Sequence, residues 1–244
     1  MRLNGERGRM IKIEIMNLRQ FNKFLKTIYL QGYRKKYSGI KIVEMDLSKE
    51  IQAIALLYEV YWNEKKFLSF EDFYKRYSKE KRKSIEEFRL KTTMCKKCFY
   101  RGLKARIYRT WASLITQIHG GYVAESVFGK NSTEMSRELD SMGADIRVEY
   151  KGCFLNYQVK KTSFSGVMSR RPLPRKKKLK GKAIDIKYEV PTCLSDPKTK
   201  KGEFRKPYIR FLEDKRTGSL DNGFVIFTKE TFLPKKREID SKTS

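Results

Sequence analysis

Residues 145 to 161 alternate polar and apolar side chains with a period of two, and they follow the strongest helical pattern in the chain. Ile146, Val148 and Tyr150 alternate with Arg147 and Glu149, Lys151-Gly152 turns the chain, and Phe154 to Lys160 returns. Successive side chains of a strand point to opposite faces, so this pattern predicts a hairpin with one buried and one polar face. Ahead of it, Cys98 to Phe128 carries Leu103, Ile107, Trp111, Leu114, Ile115 and Ile118 at helical spacing. Met135, Arg137 and Leu139 are expected in a first strand, followed by a Ser141-Met142-Gly143 turn. A helix followed by short strands predicts a compact α/β (α+β) unit, extended by strands over Ala183 to Val190 and Gly223 to Thr228.

The N-terminal half reads as helical. Leu18, Phe21, Leu25, Ile28 and Tyr29 recur at three-to-four spacing, and a basic connector is expected from Gly32 to Ile40. Asp46 or Ser48 is placed to cap a helix bearing Ile51, Ile54, Leu57, Tyr58 and Tyr61. Ser69-Phe70-Glu71-Asp72 resembles a capping box with aspartate in the third position. Gly120-Gly121 either kinks the long helix or lets another backbone approach it, and the tail after Pro234 is expected to fray. The chain then divides into a helical N-terminal region packed on the core (1–92), a catalytic core (93–165) and a basic C-terminal region (166–244), forming one compact domain.

Charge narrows the partner. Lys and Arg number 56 against 28 Asp and Glu, a net charge of +28, and such self-repulsion calls for a polyanion. Nucleic acid suits lysines and arginines spread along the chain. No apolar run is long enough to span a bilayer and the first residues do not resemble a secretory signal, so the expectation is a cytoplasmic protein with no membrane partner. Cys95, Cys98, Cys153 and Cys193 read as reduced thiols, since the Cys95-Cys98 pair lacks a second close pair to close a zinc site.

Hydrolysis of a phosphodiester needs a divalent metal, an activated water and a cation near the developing charge. Mg2+, or Mn2+ in its place, takes oxygen ligands from one or two carboxylates, waters and the substrate phosphate. Asp145 supplies a carboxylate at a strand edge. Gln158 and Lys160, two residues apart, point into one cleft from the facing strand. The Gln158 amide oxygen or the Val159 carbonyl completes the metal's oxygen set, and Lys160 orients or deprotonates water or stabilises the pentacoordinate charge. Asp140, across the turn, is a further metal-ligand or outer-sphere candidate, and Glu125 from the preceding helix can reach the same cleft.

Helix with Glu, strand with Asp, strand with (D/E/Q)xK: this order resembles the PD-(D/E)xK nuclease superfamily, with Gln158 in the acid position. A narrower likeness spans residues 37–47, Leu57 to Trp62, Arg101 to Ser113, Glu138 through Gly143 and Asp145, and Gln158 to Lys161. There the chain resembles the TaqI-type restriction endonucleases. That resemblance implies a restriction-endonuclease-like core with a mixed β-sheet and Mg-dependent, sequence-specific cleavage of double-stranded DNA; the enzymes of that family cut the palindrome TCGA, and the target sequence of this chain is left open. It also implies a homodimer, and a cognate DNA methyltransferase in the host as a functional partner. The family's paired aspartates match Asp140 and Asp145, and its motif lysine matches Lys160.

On this reading Arg170, Arg171, Arg175 and Lys161 contact DNA, phosphates giving affinity and base edges giving specificity. Two alternatives stand beside it: a non-catalytic basic nucleic-acid-binding protein, and a repair or junction-resolving nuclease of the same fold.

Overall fold

A computed structural model describes residues 17–37, 39–40, 47–162, 179–189 and 197–243. The chain forms two units, one from Thr27 to Ile118, the other combining the residues up to Lys26 with those from His119 onward.

Helix α1 covers residues 17–27 and belongs almost wholly to the second of these units. The Thr27–Ile118 unit is helical: α2 (Leu30–Tyr37), α3 (Ile54–Leu57), α4 (Phe70–Glu80), α5 (Arg82–Leu90) and the larger part of α6 (Lys96–Phe128). The expected basic connector after Gly32 is instead α2. Arg34, Lys35 and Lys36 are good helix formers, and they sit in the last turn, where the helix dipole favours cations. Tyr29, read as part of an apolar stripe, lies between the helices and is 74 % exposed. Ser48 heads only a 3-10 turn, Lys49–Ile51, and makes no side-chain cap bond; Asp46 lies outside the described residues. The Ser69 cap at α4 is present, though not the full box: Ser69 Oγ accepts from the Asp72 N–H at 3.2 Å and donates to Asp72 Oδ2 at 2.6 Å. At the centre, the Trp111 indole N–H donates to the Tyr61 hydroxyl at 2.8 Å, which donates to the Leu68 carbonyl at 2.6 Å. Tyr61 lies in a π-helical stretch, Tyr58–Asn63, that continues α3. Two large aromatic side chains are thus buried without an unpaired polar atom between them.

The other unit holds the sheet. Its strands are β1 (Thr133–Glu134), β2 (Ile146–Tyr150), β3 (Cys153–Thr162) and β4 (Lys182–Glu189), in that spatial order. β1–β2 and β2–β3 are antiparallel and β3–β4 is parallel, so the sheet is mixed. The expected strand at Met135 to Leu139 is a correction: β1 stops at Glu134, and Arg137–Ser141 is a helix, α7. Ser136 explains the change, because its Oγ accepts from the Leu139 N–H at 3.1 Å and caps a helix where periodicity alone suggested a strand. Helix α8 (Lys206–Glu213) and a small antiparallel pair, β5 (Thr217–Ser219) with β6 (Val225–Phe227), follow. The tail expected to fray is helix α9 (Leu233–Thr243). Pro234 fits its first turn, Asp240 ties the helix to Lys151 at 2.7 Å, and an i,i+4 pair with Lys236 at 2.7 Å braces it internally.

One face of the sheet forms the core of this unit. Ile146, Val148, Leu155, Tyr157, Val159, Ile186 and Tyr188 are all buried, as alternation requires. Tyr157 meets Phe232 edge-on at 5.1 Å and Tyr188 meets Phe227 at 5.4 Å. Helix α6 passes through Gly120 unbroken, and the absent side chain serves close approach: a Cβ there would stand 3.1 Å from Phe227 and 3.2 Å from Ile146. His119 is buried beside it. Its Nδ1 accepts from the Phe227 N–H at 3.2 Å, which leaves the proton on Nε2, 2.9 Å from Asn22 Oδ1. Burial holds this imidazole neutral, its pKa lowered to about 3.

Candidate active site

The opposite face of the sheet is polar, and its chemistry begins at α7. Asp140 lies near the C-terminal end of that five-residue helix. Gly143 then takes a left-handed conformation, φ 89°, and its N–H donates to the Asp140 carbonyl at 2.9 Å. This helix stop needs glycine, and it reverses the chain so that Asp145 returns beside Asp140 at the head of β2. The Asp145 N–H donates to the Tyr157 carbonyl, and Asp145 Oδ2 accepts from the Val159 N–H at 2.6 Å. Asp145 is therefore fixed to β3 by backbone and side chain together.

Asp140 and Asp145 stand close enough that each carboxyl acts on the other's ionisation, so the two titrate as a pair. Burial pushes the Asp145 carboxyl up to about 7, the Val159 N–H opposes the rise, the Asp140 charge adds to it, and Lys160 opposes it. Burial raises Asp140 as well. Two crowded carboxyls, Asp145 buried and Asp140 half-buried, have the electrostatics of a cation site, since a divalent ion relieves their repulsion. Among the described residues no third His, Cys, Asp or Glu completes a metal-binding group. A metal on Asp140 and Asp145 would take its other oxygens from backbone, amide, water or phosphate, as hard cations do.

The β2–β3 register, Ile146 opposite Tyr157, carries Asp145, Gln158 and Lys160 onto one face. Gln158 and Lys160 are partly exposed, whereas Val159 between them is buried. Lys160 Nζ donates to Asp185 Oδ2 at 2.6 Å. Asp185 sits on β4 directly beside Gln158 in the parallel register. Sequence reasoning did not single out Asp185. Its alternating strand was legible, but the pairing partner of a parallel strand across a long connection leaves no local signal.

The remaining candidates are placed differently. Glu125, in α6, is buried, and its Oε1 accepts from the Asn131 N–H at 3.3 Å, which braces the turn after the helix. Lys161 is exposed on β3, on the alternate face from Lys160. Arg170, Arg171 and Arg175 lie outside the described residues. Cys95, Cys98 and Cys153 are free and exposed, and the Cys98 N–H donates to Cys95 Sγ at 3.2 Å. Among the described residues no helix is long and apolar enough to cross a membrane.

Residues 18–239 match the TaqI restriction endonuclease family. The type II restriction enzyme TaqI of Thermus aquaticus is 32% identical over 232 residues, covering 88% of this chain and 85% of that enzyme. A type II restriction enzyme of Thermus thermophilus is 30% identical over 229 residues, with the same coverage of 88% and 85%. No solved structure matches the chain.

Proposed function

This chain belongs to the TaqI restriction endonuclease family and is a type II site-specific deoxyribonuclease, and from that premise we propose that it cuts double-stranded DNA at TCGA in an Mg-dependent reaction centred on Asp140, Asp145 and Lys160. The observation that carries the proposal is the arrangement of α7, β2 and β3: Asp140 stands near the end of α7, and Asp145 heads β2 with its carboxylate fixed to the strand that bears Lys160. Asp140 and Asp145 would hold the divalent cation, with Mn2+ able to replace Mg2+. Bound there, the ion supplies Lewis-acid polarisation of the phosphate and a more acidic water.

The side chains divide the remaining work. The Val159 N–H keeps Asp145 aimed, so the carboxylate is already placed when DNA arrives. Lys160 presents a cation at the same face, where it orients water or meets charge developing on the phosphorus oxygens. The Gln158 amide is neutral, so Asp140 and Asp145 carry the formal charge that balances the metal. Glu125 supports the turn that follows α6 through its Oε1, and its other carboxylate oxygen is the one proposed for a metal. Arg170, Arg171, Arg175 and Lys161 are proposed to contact DNA, with the +28 charge supplying sequence-independent affinity.

A palindromic target cut on both strands favours a two-fold homodimer, with a cognate DNA methyltransferase protecting host DNA. The test is direct. Purified protein is incubated with a sequenced plasmid and Mg2+, with Mn2+, and with chelator, and the fragment ends are mapped. Discrete fragments ending at TCGA in either metal, and none with chelator, are expected. Discrete ends at another sequence would sink the TCGA assignment, and cleavage that survives chelation would sink the metal dependence.

A further inference from the structure

The Lys160–Asp185 pair is not explained by stability. Both side chains are about a third exposed, at 34% and 37%, and ion pairs so open to water contribute little to folding. Its placement is more informative. In the parallel register Lys160 stands beside Lys187, while Asp185 stands beside Gln158, nearer the head of β2. Neighbouring like charges on one face repel, so Lys187 disfavours an ammonium extended straight along its own row. Asp185 offers the alternative position at 2.6 Å. That draws Lys160 back along the strands to the level of Gln158, next to the Tyr157–Ile146 pair at the head of β2, with Asp185 on the other side of β3 from β2. Among the described residues Asp185 joins no metal-binding group with the two aspartates. Its contact is with the lysine.

We propose that Asp185 is a positioning residue, which holds the Lys160 ammonium over the end of the sheet where the Asp140–Asp145 pair meets the scissile phosphate. This rests on the nuclease reading of that pair. Lys160 has a long side chain with several freely rotating bonds, and an effective catalytic cation must be held in place before the phosphate arrives. Asp185 supplies that restraint from the neighbouring strand without entering the metal site.

The experiment compares wild type with Asp185→Asn and Asp185→Glu in single-turnover cleavage of plasmid DNA, with DNA affinity measured in Ca2+ and thermal melting of each protein. Asp185→Asn is expected to slow cleavage by ~10- to 100-fold while DNA affinity changes by less than ~3-fold, as befits lost positioning. Asp185→Glu keeps the charge and is expected to cleave faster than Asp185→Asn. An Asn variant as fast as wild type, or faster, overturns the inference and leaves the nuclease reading intact. So does a Glu variant no faster than the Asn variant, or a loss of cleavage that tracks lost DNA affinity or a lowered melting point. A wild-type protein that never cuts removes the underlying reading, and this inference with it.

Discussion

The Val159 N–H donates to Asp145 Oδ2 at 2.6 Å, so the acid at the head of β2 and the strand carrying Lys160 move as one piece. Burial and the neighbouring Asp140 charge both raise the pKa of the same carboxyl. Asp145→Asn keeps an oxygen to accept from Val159 and removes the repulsion. We expect it to abolish cleavage and yet to stabilise the fold at pH 8, by about 2 kcal/mol, as loss of a buried like-charge pair should. The sign follows from linkage. The folded carboxyl is raised to about 7 from an ordinary value near 4, so its contribution is complete below pH ~4 and is lost as pH rises through ~7. Melting curves in chelator at pH 5 and pH 8 test this: the variant's advantage should be larger at the higher pH. Mg2+ should raise the melting point of wild type at pH 8 and leave the variant unmoved.

Lys160→Ala should separate cutting from binding. Removing a cation that meets developing charge is expected to slow single-turnover cleavage by at least ~100-fold. DNA affinity, spread over many basic side chains, should change little. Gel shifts in Ca2+ beside cleavage in Mg2+ decide it, and equal losses in both would assign Lys160 to phosphate binding instead.

His119 predicts an acid-side weakness with the opposite sign to Asp145. Its folded pKa is depressed to about 3 from 6.5, so it favours the fold above pH ~6.5 and withdraws that support as pH falls toward 3. The loss is about 1.4 kcal/mol for each pH unit across that window. Asp145 gains over nearly the same range, so wild-type melting alone would hide both. His119→Gln, which removes the titration, should lose stability less steeply between pH 6.5 and 4 in urea unfolding.

Tyr61→Phe strips the hydroxyl that accepts from Trp111 and donates to the Leu68 carbonyl. Leaving a buried indole N–H unpaired should cost about 2 kcal/mol. A shifted urea midpoint at unchanged slope would register it, and a midpoint within error of wild type would mean that water reaches the gap.

What could be read from the sequence followed from how local each signal was. The hairpin was legible because a period of two needs only adjacent residues, and Asp145, Gln158 and Lys160 fall on one face as that period requires. The α4 cap was legible because Ser69 and Asp72 lie within one turn. Helix α7 was misread, since Met135, Arg137 and Leu139 mimic a strand and the decisive feature is the single Oγ of Ser136. The tail helix was missed because its support comes from Lys151, far along the chain. Asp185 had no signal of its own: a parallel partner is chosen by the tertiary fold, and nothing near residue 185 announces residue 160.

Asp140, Asp145, Gln158 and Lys160 all come from one short run of chain, α7 through β3, closed by hydrogen bonds within that run. The proposed cutting apparatus is therefore close to a portable cassette. Exchanges elsewhere in the sequence are then expected to leave the proposed cutting residues in place, with Asp185 on β4 an outside thread to keep tied.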